Sequence, residues 1–170
     1  MGISLFECCW PTFPYGAVEH YEEAIRSLAE HLEKNPTSGA ALNNRAICYW
    51  KMGRREDALA DFAEAIKHLP HDHLPLKHRA LLNEELERYD EAIADVTEAL
   101  LISPHDALLF RIRAHLNVKR NNLPAALEDL TRALEEEPSF AYTYYQRAKV
   151  YQRLGCTRDA QVDREKARMR

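Results

Sequence analysis

Glycine is scarce, at five of 170 residues, and that scarcity removes several functions at once. A phosphate-cradling loop and a nucleophile elbow both need closely spaced glycines. Neither motif is present, and the repeat described below accounts for the carboxylates, so no catalytic centre and no cofactor are expected. Cysteine is equally sparse: Cys8, Cys9, Cys48 and Cys156 lack the spacing of a disulfide framework or a zinc site. All four are expected to be reduced thiols in a cytoplasmic compartment. A basic excess is also missing, with 23 Lys and Arg against 27 Asp and Glu and a net charge of -4. That balance speaks against nucleic acid as a partner. No apolar run approaches the roughly 20 residues of a membrane helix, so no membrane span is expected. Residues 1–6 lack the basic start and long apolar stretch of a secretory signal, and Phe6 stands where the myristoylation pattern needs a hydroxyl.

What the chain has in quantity is periodicity. Asn44-Arg45-Ala46 returns as His78-Arg79-Ala80, Ile112-Arg113-Ala114 and Gln146-Arg147-Ala148, in steps of 34 residues. Pro36, Pro70, Pro104 and Pro138 keep the same step, as do Asp61, Asp95, Asp129 and Asp163. Val18, Tyr21, Ile25, Leu28 and Leu32 have amphipathic helical spacing, and the spacing that follows predicts helix pairs at 39–52 and 55–68, 73–86 and 89–102, 107–120 and 123–136, and 141–154 and 157–169. Gly53, Asn121 and Gly155 suit the left-handed residue that ends many helices; Glu87 in the equivalent place predicts a less regular turn. Ser38, Asp72 and Asp106 are candidate caps for first helices. Alanines recur at 46, 80, 114 and 148, at 58, 92, 126 and 160, and at 65, 99, 133 and 167, which lets helices approach closely while Leu42, Tyr49, Phe62, Val96, Leu130, Tyr144 and Tyr151 fill the spaces between them.

Two residue classes invite functional readings. The Arg45, Arg79, Arg113 and Arg147 series could line a basic groove, but the matching aspartate series predicts partly buried ion pairs that fix how units stack. His68, His71 and His73 around Asp72 could suggest a metal, yet Pro70-His71-Asp72 and Pro104-His105-Asp106 read as the same exposed inter-repeat turn, and no metal is expected. Residues 1–14 fall outside the repeat. Leu5, Phe6, Trp10 and Phe13 make this arm too apolar for a solvated tail, and it is expected to fold back over the end of the array. The alternatives are an arm seated in a groove, of its own or a neighbouring molecule, or an anchor at Cys8 and Cys9.

With Ala46, Tyr49, Gly53, Ala58, Phe62, Ala65 and Pro70 in its best unit, the chain resembles the tetratricopeptide repeat family. The resemblance implies an all-α, right-handed α-solenoid of four full repeats plus one half: a half repeat at 17–36 and repeats at 39–72, 73–106, 107–140 and 141–170, within an array spanning 15–170. It also implies a non-enzymatic scaffold whose first helices line a concave groove. Counting positions as the family does, Asn43, Asn44, Ile47 and Trp50, then Lys77, His78, Leu81 and Glu84, then Leu108, Arg111, His115 and Val118, then Tyr142, Tyr145, Lys149 and Gln152 would face inward. Lys77, Arg111 and Lys149 beside aromatics suit an acidic, partly apolar peptide. The clamp by which some relatives hold the acidic tail of heat-shock chaperones fails in every register: Asn44 matches but Leu74 and His78 replace its basic pair; Asn43 and Ile47 stand where Lys and Asn belong; Lys77 matches but Leu81 does not. Self-assembly into a homo-oligomer, through the arm or an array end, is the competing reading, and a structural unit of a larger polypeptide is a third. Gln161, Arg164, Glu165 and Arg168 make the last helix polar, as a terminal repeat needs, so a nearly complete array is expected.

Overall fold

The computed structural model describes residues 17–169. Among them are nine α-helices and no strand: α1 (Ala17–Lys34), α2 (Gly39–Lys51), α3 (Arg55–His68), α4 (Leu74–Glu85), α5 (Tyr89–Ile102), α6 (Ala107–Lys119), α7 (Leu123–Glu136), α8 (Ala141–Arg153) and α9 (Thr157–Arg168). Each first helix stops one residue short of its predicted end, because Met52, Leu86, Arg120 and Leu154 are the capping residues. The expectations for the arm at 1–14 lie outside the described residues.

The chain divides into two compact units at His68 and Leu69. In the first, Leu32 of α1 meets Ala41 and Leu42 of α2 and Ala65 of α3 in a buried cluster backed by Leu28. In the second, α4 pairs with α5, α6 with α7 and α8 with α9, while α5 meets α6 and α7 meets α8. Its core includes Ala114, Leu123, Ala126, Leu130 and Val150. The periodic alanines are buried throughout except Ala167, which is half-buried. Their methyl groups bring backbones close enough for the larger side chains to interdigitate at interior density.

The arginine–aspartate series forms as ion pairs, always across sixteen residues and always within one helix pair. Arg45 Nε donates to Asp61 at 2.6 Å and Arg79 Nη2 to Asp95 at 2.6 Å. Arg113 Nη2 donates to Asp129 at 2.7 Å and Arg147 Nε to Asp163 at 2.7 Å. Both carboxylate oxygens are used each time, which is the planar match of guanidinium to carboxylate. The predicted role in stacking is therefore corrected: the pair joins first helix to second inside a repeat. Stacking contacts come from the remaining guanidinium nitrogens, with Arg113 Nη1 donating to Thr97 at 3.3 Å and Arg147 Nη1 to Thr131 at 3.2 Å, each on the preceding second helix.

The turns depart from expectation in two places. Ser38 makes no side-chain cap bond, whereas Asp72 accepts from Leu74 N at 2.9 Å and Asp106 from Leu108 N at 2.8 Å. Glu87, expected to give an irregular turn, has φ 58° beside Asn121 at 60°, Gly53 at 76° and Gly155 at 79°. The turn is the regular one, adopted by a residue that pays a steric cost for it.

Glu87→Gly is accordingly expected to raise stability by about 1 kcal/mol, read as a denaturation midpoint. Asn121→Gly gains less, since Asn121 Oδ1 accepts from Arg153 at 2.6 Å. Removing one partner of a buried pair leaves the other charge stranded, so Arg113→Ala should cost about 3 kcal/mol, while Arg113→Met/Asp129→Leu should come within about 1 kcal/mol of wild type. Arg113→Ala with an unchanged melting temperature but lost ligand binding would show that this series is a binding surface.

Candidate functional site

The side chains singled out on the first helices have distinct environments. In the first unit, Asn43 is buried and donates to Asn44 Oδ1 at 3.4 Å, while Asn44 itself is exposed. Ile47 is half-buried. Trp50 is a core residue at 8% exposure, with the Lys51 ammonium 5.6 Å from its ring centroid. Trp50, expected to face the groove, is instead part of the core, and of these four only Asn44 is fully at the surface.

In the second unit, α4 carries Lys77, His78, Leu81 and Glu84, all half-buried. Burial, with help from the Lys77 charge, pulls the His78 pKa from 6.5 down to about 4, so the imidazole is neutral at neutral pH. Glu84 pairs across to α6, its Oε1 2.8 Å from His115 Nε2. Beside it Leu108 is half-buried. Arg111 is buried at 7% exposure, its Nη1 donates to Glu137 at 2.7 Å, and its guanidinium carbon lies 4.5 Å from the Phe140 ring centroid. Arg111 is thus buried with its charge already matched by Glu137.

On α8, Tyr142, Tyr145 and Lys149 are exposed. Phe140 stands edge-on to Tyr142 with centroids 6.5 Å apart, Tyr142 and Tyr145 are 6.3 Å apart, and the Lys149 ammonium is 4.4 Å from the Tyr145 centroid. Arg111, Phe140, Tyr142, Tyr145 and Lys149 therefore form one continuous run of stacked aromatic and cationic groups. Phe140 in this run, and the Glu137 that pairs with Arg111, were not among the predicted residues. Phe140 could have been found, because it extends the Tyr142–Tyr145 aromatics by one step. Glu137 is an ordinary turn acid whose partner only the fold reveals.

Of the histidines around Asp72, His73 has local partners. His73 Nδ1 is 3.0 Å from Ser103 Oγ and its Nε2 is 3.6 Å from Asp106. Among the described residues no three His, Cys, Asp or Glu side chains are placed to hold a metal ion, and no helix is long and apolar enough to cross a membrane. Cys48 and Cys156 are free thiols; burial pushes the Cys48 pKa up, which keeps it in the unreactive thiol form.

A profile of the tetratricopeptide repeat matches residues 39–72, and a second matches 78–106. No curated relative matches by sequence. Among solved structures, the chain is similar to MamA at a TM-score of 0.81 and 17% identity over 86% of each chain. It is also similar to PilF of Pseudomonas aeruginosa, at a TM-score of 0.78 and 17% identity over 91% of this chain and 71% of that one. YrrB, described as a TPR protein with an unusual peptide-binding site, aligns at a TM-score of 0.75 and 17% identity over 89% of this chain and 78% of that one. At such identities the likeness is one of fold, an all-α helical-repeat solenoid.

The depressed His78 pKa has a measurable consequence. The unfolded chain binds a proton near pH 6.5 that the folded one refuses until about pH 4, so the stability gained from neutral His78 is present above the first value and is lost as pH falls toward the second. Across that window His78→Gln should remove about 5 °C of the acid-induced fall in melting temperature. Equal falls for His78→Gln and wild type would show that His78 is not the titrating group.

Proposed function

This chain is a tetratricopeptide repeat protein, and we propose that it is a non-enzymatic adaptor that holds an acidic, partly apolar peptide segment of another protein against the first helices of its second unit. The observation that carries this reading is the exposed run Tyr142–Tyr145–Lys149 on α8. Exposed aromatic rings beside cations give large contact area at low entropic cost and are the usual energetic anchors of peptide recognition. Lys149 and the half-buried Lys77 make no ion pair among the described residues, so both are left to meet a ligand's carboxylates. Arg111 acts one step back, holding Phe140 beneath the aromatic run.

The peptide reading also draws on YrrB, a protein of this fold whose description includes a peptide-binding site. The free thiols of Cys48 and Cys156 fit a reducing, cytoplasmic setting.

The test is affinity capture from native lysate with wild type and a Lys77→Glu/Lys149→Glu variant of equal helicity by circular dichroism. A partner retained by the wild type and lost by at least about tenfold from the variant supports the groove, since two reversed charges are expected to cost over 1.4 kcal/mol. Identical captured sets would overturn it.

A further inference from the structure

On the second helices, one position in each repeat is apolar and buried: Phe62, Val96 and Leu130. In α9 the equivalent residue is Arg164, and it is exposed. The neighbouring series behaves in the same way, with Leu100 and Leu134 buried and Arg168 exposed. In α7, Leu130 of these two leucines packs with Val150 of α8 in one buried cluster. In α9 they are replaced by two arginines that border an open cleft of about 630 Å³, completed by Ala141, Tyr142, Tyr145 and Ala167.

This cleft shares Tyr142 and Tyr145 with the first-helix face and adds a floor and rim from α9. Its floor is small and apolar, with Ala167 the one member of its alanine series that is not buried. Its walls are two tyrosine rings, exposed at 39% and 45%. Its rim is cationic: Arg164 donates to the neutral Gln152 amide oxygen at 2.5 Å, Arg168 has no carboxylate partner among the described residues, and no acidic side chain lines the cleft. An arginine whose charge is unmatched beside a half-apolar concavity attracts a carboxylate, which it can hold through two parallel hydrogen bonds. A hollow of this size with few polar groups suits a large apolar side chain.

We propose that the α8–α9 cleft is the anchor pocket for the acidic peptide, taking a large apolar side chain between Tyr142, Tyr145 and Ala167 while Arg164 and Arg168 bind the carboxylates that flank it. This rests on the peptide-binding reading and names the part of the ligand that confers affinity.

The minimal probe is N-acetylphenylalanine, which joins a ring to a carboxylate, titrated into the full isotope-labelled chain and followed by amide chemical shifts. N-acetylphenylalanine amide and N-acetylaspartate serve as controls, each lacking one feature. The expected result is a saturable shift at Ala141, Tyr145 and Ala167 with the free acid and at least about fivefold weaker binding of each control. Arg168→Glu should weaken binding of the acid by about fivefold, and Ala167→Leu, which fills the floor, should abolish the shifts in a protein of unchanged helicity. Equal binding of acid and amide, no shift at these amides, or full affinity in Arg168→Glu would each overturn the proposal. Shifts at Lys77, Tyr145 and Lys149 with none at Ala167 would overturn it while leaving the groove reading intact. Shifts of the cleft amides on dilution of the protein alone would mean that a second copy covers it, and the proposal would fall.

Discussion

A guanidinium on one helix grips a carboxylate on the next, and the rest of each repeat is arranged around that contact. Arg45, Arg79, Arg113 and Arg147 hold Asp61, Asp95, Asp129 and Asp163 through both carboxylate oxygens. The aspartates are almost fully buried, and burial pushes the Asp129 carboxyl up even as Arg113's hydrogen bond and charge pull it down. A pair so desolvated contributes little net stability compared with apolar residues. What it supplies is alignment, because a planar fork meets a planar carboxylate in one orientation only. Small alanines on both helices then allow the close approach that this alignment demands.

Charge pairing shapes the surface as well. Most cations on the described helices are already engaged: Arg113 and Arg147 extend from their aspartates to Thr97 and Thr131, Arg111 serves Glu137 and Phe140, and His115 meets Glu84. Lys149, Arg164 and Arg168 of α8 and α9 lie beside the exposed tyrosines and have no carboxylate partner among the described residues. On the proposed reading, the acids and the ring of a ligand would meet these groups side by side.

Much of this was legible in the chain. A 34-residue step shared by arginine, alanine, aspartate and proline implies one supersecondary unit repeated, and the predicted helices lie within a residue or so of the observed ones. The ion pairs were legible because opposite charges at one constant offset, on the first and second helix of every repeat, are brought together by the same helix turn each time. The candidate groove was only partly legible. Family position marked Asn43, Trp50 and Arg111 as inward-facing, yet all three are buried, since a repeat position fixes the direction of a Cα–Cβ bond and not what neighbouring turns place over it. Glu137 and Phe140 were missed for the same reason, being turn residues that matter through contacts made 26 residues and more from their partner.

Periodicity by itself determined the fold class, the helix pairs and the arginine–aspartate bonds, because these follow from which residue types recur and at what separation. Tertiary structure alone decided which polar groups remain unmatched. Whether Arg111 is neutralised and Arg168 is not, whether His78 is charged, and whether Trp50 is an anchor or core depend on local burial and on partners distant in sequence. Desolvation and charge pairing act through space, and no pattern along the chain encodes them.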